Sequence, residues 1–149
     1  MKKIAAIMLS ALLTIAFSVT CFAQEGPAQK EVIRSYTWQT EDGFTVVTTI
    51  EADLGNPRSS QRGSKTNQYY YDGAHVGTMV LNGEFYYDGS TARATGASKS
   101  YSTASGWSYS GGDAKTSGAS VSVSGSFDSG SKHCAVDMTL TCSPSGALS

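Results

Sequence analysis

Two histidines and two cysteines are the side chains best equipped for chemistry once the first residues of the chain are set aside. His75 and His133 stand 58 residues apart, and His133 adjoins Cys134. A thiol beside an imidazole suggests a nucleophile with its base, or part of a metal site. Neighbours on a strand point to opposite faces, so His133 and Cys134 are poorly placed to act together. Only a pairing of Cys134 with His75 through the fold would remain. No CxxC pair, HExxH helix, phosphate-binding glycine loop or Gly-x-Ser-x-Gly elbow is present. Two carboxylates suffice for a glycosidase, and Glu84 and Asp88 adjoin one turn. A turn aspartate, however, normally bonds its own backbone. The reading is of a non-enzyme with no catalytic residue, no metal and no cofactor.

Aromatic residues are the stronger lead. Tyr69-Tyr70-Tyr71 and Phe85-Tyr86-Tyr87 are consecutive runs, and Trp107 and Tyr109 share one side of a Ser/Gly-rich stretch. On a strand, consecutive residues alternate in direction, so each run should send at least one ring away from the core. Exposed flat rings on a β-sandwich stack on sugars or anchor protein partners. The candidate ligand-binding residues are Tyr69, Tyr71, Tyr86, Tyr87, Trp107 and Tyr109. The competing reading makes these rings core filler in a domain poor in Val and Leu.

Strands must position them. Phe44, Val46, Thr48, Ile50 and Ala52 alternate with Thr45, Val47, Thr49 and Glu51. Val121, Val123 and Phe127 alternate with serines, and Cys134, Val136, Met138, Leu140 and Cys142 with Ala135, Asp137, Thr139 and Thr141. Period-two patterns of this kind mark half-buried strands. Turn signals separate them: Glu41-Asp42-Gly43, Leu54-Gly55-Asn56-Pro57, Asp72-Gly73, Asn82-Gly83, Asp88-Gly89, Gly111-Gly112 and Asp128-Ser129-Gly130. The stretch 56–65, with Arg58, Arg62 and Lys65, reads as a solvated loop. Asn82-Gly83-Glu84-Phe85 resembles Ser124-Gly125-Ser126-Phe127, which reads as convergent hairpin chemistry in preference to one hairpin device used twice.

Cys134 and Cys142 fall on the apolar side of one strand. Eight steps at about 3.3 Å place their Cα atoms roughly 26 Å apart, whereas a disulfide needs about 4.4–6.8 Å. They are expected as two buried thiols behaving as small apolar residues.

Residues 1–23 read as a cleaved signal peptide of bacterial type. Lys2 and Lys3 precede an uncharged apolar run, and Cys21-Phe22-Ala23 offers small residues at −3 and −1 for cleavage before Gln24. Residues 24–30 read as a flexible leader, 31–142 as a single all-β domain and 143–149 as a tail. The expected location is extracellular, periplasmic or in the cell envelope.

Residues 24–149 carry nine basic and twelve acidic side chains, a net charge of −3. That weak balance argues against nucleic acid as a partner. Ser, Gly and Thr supply 50 of these residues, and Leu, Ile, Val and Phe only 17. The core should therefore be thin and largely aromatic. The 119–128 and 132–142 segments carry too little apolar surface for a lipid-facing hairpin, so no membrane insertion is expected.

The fold class is all-β, a small antiparallel β-sandwich or barrel of about seven to eight strands. The expected role is binding, either of glycan through the aromatics or of another extracellular protein as an adhesin, inhibitor or bacteriocin-like toxin.

Overall fold

The computed structural model describes residues 29–54 and 59–149. The signal-peptide reading, the cleavage site and most of the leader lie outside the described residues. The architecture is all-β, with antiparallel sheets of five and four strands. The strands are β1 (Lys30–Gln39), β2 (Phe44–Asp53), β3 (Ser60–Tyr71), β4 (Ala74–Tyr87), β5 (Ala92–Thr103), β6 (Ser108–Gly111), β7 (Lys115–Ser117), β8 (Ser120–Ser129) and β9 (Lys132–Thr141).

The first sheet runs β1-β2-β3-β4-β5, each strand antiparallel to the next in sequence. In the second, β9 pairs along the whole of β8, from Ser120 to Ser129. A strand has only two edges, so β6 and β7 share the other edge of β8. They meet residues 125–128 and 120–122 in turn. They are two halves of one interrupted strand, which makes the second sheet effectively three strands wide.

The period-two patterns position the core as expected. Phe44, Val46, Ile50, Val121, Val123, Phe127, Val136, Met138 and Leu140 are all buried. Full burial of such a side chain is worth about 1.5–3 kcal/mol. Cys134 and Cys142 are buried and free, on the core face of β9 and just past its end. Asp72-Gly73 forms a two-residue hairpin with positive φ at both positions (50° and 76°), the geometry of the Asp-Gly turn.

Two local expectations are corrected. Residues 60–65 are not loop but the first half of β3, paired with β4 from Ser60↔Tyr86 onward. Their polar side chains gave no period-two signal; pairing with two neighbours supplies the stabilisation instead. Asn82-Gly83 is not a turn but lies mid-strand in β4. A Cβ at Gly83 would sit 2.6 Å from the Phe85 ring and 3.0 Å from Val121, so the glycine admits an aromatic between the sheets. Gly125 of β8 does the same for Tyr109. The resemblance between the two segments is a repeated mid-strand glycine, one per sheet, rather than a repeated hairpin. The 143–149 segment folds back on β9: Thr141 and Ser149 exchange backbone hydrogen bonds of 2.9 and 3.0 Å, and Leu148 lies over Gly63.

The two sheets differ in width, and this decides what is exposed. β9 packs over β3 and β4, β8 over β4 and β5, and β7 beside β5. β1 lies beyond that cover, and all ten of its residues are exposed.

Candidate functional site

The six aromatics singled out from the sequence do not form one face. Tyr69 is 1% exposed, between the sheets and tilted against Phe127 at 5.3 Å. Burial pushes its phenol up to about 12, partly offset by the hydrogen bond from Asn67. Tyr71 lies half-buried on Phe44, with the Lys132 ammonium 4.1 Å from its ring centroid. Trp107 meets Phe44 edge-on at 5.9 Å. Tyr109 packs between Tyr101 and Phe127 and donates to the Ser124 carbonyl. Tyr87 is half-buried, close against Gly146 of the folded-back tail. Tyr86 alone among them is well exposed, at 40%, on the outer face of the first sheet with the Arg93 guanidinium 5.3 Å from its centroid. Tyr69 is therefore core, whereas Tyr71, Tyr87, Trp107 and Tyr109 are partly buried against the core and extend it where aliphatic residues are few.

The exposed aromatic row lies instead on β1. Arg34, Tyr36 and Trp38 pair with Ile50, Thr48 and Val46, so they share the inner face of the first sheet with three buried residues. Tyr36 and Trp38 are nevertheless 37% and 39% exposed, because the second sheet ends before reaching them. Alternate positions on a strand are about 6.6–6.8 Å apart, so the two rings stand side by side along one wall.

A buried polar chain holds that wall. Trp38 Nε1 donates to Thr48 Oγ1 (3.0 Å), Thr48 Oγ1 donates to Asn67 Oδ1 (2.8 Å), and Asn67 Nδ2 donates to the Tyr69 hydroxyl (3.2 Å). Thr48 and Asn67 are 1% and 2% exposed, where an unmet polar group would be costly. The chain crosses β1, β2 and β3 and fixes the indole by its only donor, while part of the ring stays open to solvent. Tyr69 thus takes part through Trp38, as the inner end of this chain.

The sequence reading passed over Tyr36 and Trp38. The signal was there, since Arg34, Tyr36 and Trp38 recur with period two immediately before the Glu41-Asp42-Gly43 turn. The mixed polar composition of Lys30–Gln39 hid it, with no apolar alternation to mark a strand.

The titratable groups are engaged elsewhere. His133 Nδ1 lies 2.6 Å from Asp128 Oδ1, and Ser126 Oγ donates to Asp128 Oδ2 at 2.6 Å. The carboxylate sits between serine and imidazole, so no base reaches the hydroxyl in the order a Ser-His-Asp triad requires. The Ser126 hydroxyl, then His133, holds Asp128 below the usual carboxylate range. Asp88 is lowered as well, first by the Thr91 amide and then by Ser90, confirming a turn-bonding role. Glu84 pairs with Arg62 at 3.2 Å. His75 bonds Thr78 at 2.9 Å and lies edge-on to Tyr70. Burial pushes the Cys134 thiol up to about 11, away from the thiolate a nucleophile needs. Among the described residues, no group of three or more His, Cys, Asp or Glu side chains is placed to hold a metal ion.

No family model, curated protein or solved structure matches this chain.

Proposed function

We propose that this protein is an exported binding module that takes carbohydrate on the overhanging inner face of β1, with Tyr36 and Trp38 as stacking rings. The observation that supports it is the position of Trp38: exposed beyond the rim of the second sheet, yet oriented by Thr48 through a buried polar chain. A ring already ordered in the free protein loses little entropy on contact, which favours binding. Its apolar surface suits the C–H face of a sugar. Tyr86 projects from the opposite face of the same sheet, so it cannot join this row.

The test is a glycan array, followed by titration of intrinsic tryptophan fluorescence. Selective binding lost in Trp38→Ala and Tyr36→Ala but kept in Tyr86→Ala supports the assignment. Binding that survives Trp38→Ala overturns it.

A protein partner is the second reading, and one observation favours it. β1 is an edge strand with Val32 and Ile33 exposed at 56% and 42%, open to strand addition by an extracellular partner. The register shift between Val32 and Arg34 interrupts that edge, a feature that blunts strand addition. A blank array with specific pull-down through β1 would favour this reading.

A further inference from the structure

The row on β1 is not purely aromatic. Arg34 stands two residues before Tyr36, paired with Ile50, and therefore projects from the same face as Tyr36 and Trp38. The three side chains occupy alternate positions over about 13 Å of strand. The Arg34 guanidinium carbon lies 5.0 Å from the Tyr36 ring centroid, so the ring helps to hold the cation in line with the wall. Among the described residues, no carboxylate lies within 4 Å of that guanidinium, although three other ion pairs form on the surface. Of the other inner-facing cations, Lys65 and Lys99 are held by the backbone carbonyls of Thr139 and Gly112, and Lys99 also by Asp113. Lys132 is stacked on a ring as Arg34 is, but on Tyr71 of β3 rather than on the β1 row.

We infer that the saccharide taken by this face is anionic, with its acidic group on Arg34 and its rings on Tyr36 and Trp38. This rests on the carbohydrate reading of β1. The chemistry is a planar five-donor fork presented to a carboxylate or sulfate. The fork is positioned by stacking before the ligand arrives, so little rotamer entropy is lost on binding. A neutral glycan would leave the guanidinium hydrated and unused. A uronate or sulfated sugar would use it, at a distance from the rings set by the strand itself.

The experiment uses the purified protein and three probes of about six sugar units: an oligogalacturonate, the same oligomer fully methyl-esterified, and a sulfated oligosaccharide. Binding is read by isothermal titration calorimetry at low and moderate salt, as order-of-magnitude affinities. The expected result is binding of one or both acidic probes, about tenfold weaker or more for the methyl ester, and weakening as salt rises. Arg34→Gln should lose about tenfold for the acidic probe and nothing for the ester. Preference for the carboxylate or the sulfate probe separates the two acidic sources. Equal binding of acid and ester, or an Arg34→Gln variant indistinguishable from the parent, overturns the charge assignment while leaving the carbohydrate reading standing. No binding of these or any arrayed glycan removes both. Thermal melts of Arg34→Gln check that the exposed substitution leaves the fold intact. Trp38→Ala serves as the second variant, expected to lose both acid and ester.

Discussion

Lys65 and Lys99 flank Leu81 on one cross-strand row, and each reaches a backbone carbonyl across the sandwich, Thr139 in β9 and Gly112 just past the end of β6. Lys65 Nζ donates to Thr139 O at 2.8 Å, and Lys99 Nζ donates to Gly112 O. The two lysines point inward at the two rims of the sandwich, with their stems along the buried centre and their charges at its margin. They join sheets of unequal width and satisfy carbonyls that a neighbouring strand would otherwise take. Inward charges of this kind also protect an edge from pairing with another chain.

From this arrangement, Lys65→Met is expected to cost about 1 kcal/mol, the net worth of one hydrogen bond. It should also open the β9 edge. Urea denaturation measures the first effect. Size-exclusion chromatography across a concentration series measures the second, and a variant that stays as monodisperse as the parent would show that Lys65 does not guard the edge.

Removing the hydroxyl that aims Trp38 separates orientation from contact. Thr48→Val leaves the buried Asn67 carbonyl without its donor, at a cost of about 1–3 kcal/mol. It also frees the indole, so on the carbohydrate proposal glycan affinity should fall although neither Tyr36 nor Trp38 is changed. Trp38→Ala should cost less stability, because the ring is 39% exposed, and more affinity. Reversal of that ranking in paired denaturation and titration experiments would contradict the orienting role of Thr48.

Gly83 and Gly125 should tolerate no side chain. A Cβ at Gly83 meets the Phe85 ring, and one at Gly125 meets the Ser110 carbonyl at 2.5 Å and the Tyr109 ring at 2.8 Å. Overpacking of this kind costs about 1–3 kcal/mol. Each alanine variant should therefore melt several degrees below the parent, whereas Gly112→Ala, which meets open space, should not. Equal melting temperatures for all three would show that the sheets can separate at no cost.

Stability should fall at both ends of the pH scale. Asp88 and Asp128 titrate below the ordinary 3.8, so the unfolded chain takes up their protons first. Their contribution is whole above about pH 4 and is lost as pH falls through the lower native values. Cys134 and Tyr69 are raised, from 9.0 to about 11 and from 10.0 to about 12. Their contribution is whole below pH 9 and is lost as pH climbs toward 12, because the unfolded chain ionises first. Denaturation midpoints across pH should show both declines. Asp128→Asn should flatten the acid limb and Cys134→Ala the alkaline one. A thiol reagent at pH 8 should label neither Cys134 nor Cys142 until the protein unfolds, since both are buried.

What the sequence determined by itself was local and periodic. Alternation in 44–52, 121–127 and 134–142 defined β2, β8 and β9 and the faces they bury, because side-chain direction on a strand repeats every two residues whatever surrounds it. The same rule placed Cys134 and Cys142 on one face, too far apart to pair. Asp72-Gly73 carried its turn in its own backbone preference. Ser60–Lys65 and Ala92–Thr103 carried no such signal, since strands rich in Ser, Thr, Lys and Gly owe their form to the neighbours they pair with, and in Lys30–Gln39 the period-two set of Arg34, Tyr36 and Trp38 was masked by polar residues. Only the tertiary structure decided which aromatic rings meet solvent. Tyr69 and Trp38 both project from the inner face of the first sheet, and no local property distinguishes their fates. The second sheet covers β3 and stops short of β1. The extent of that cover follows from pairing between residues far apart in the chain.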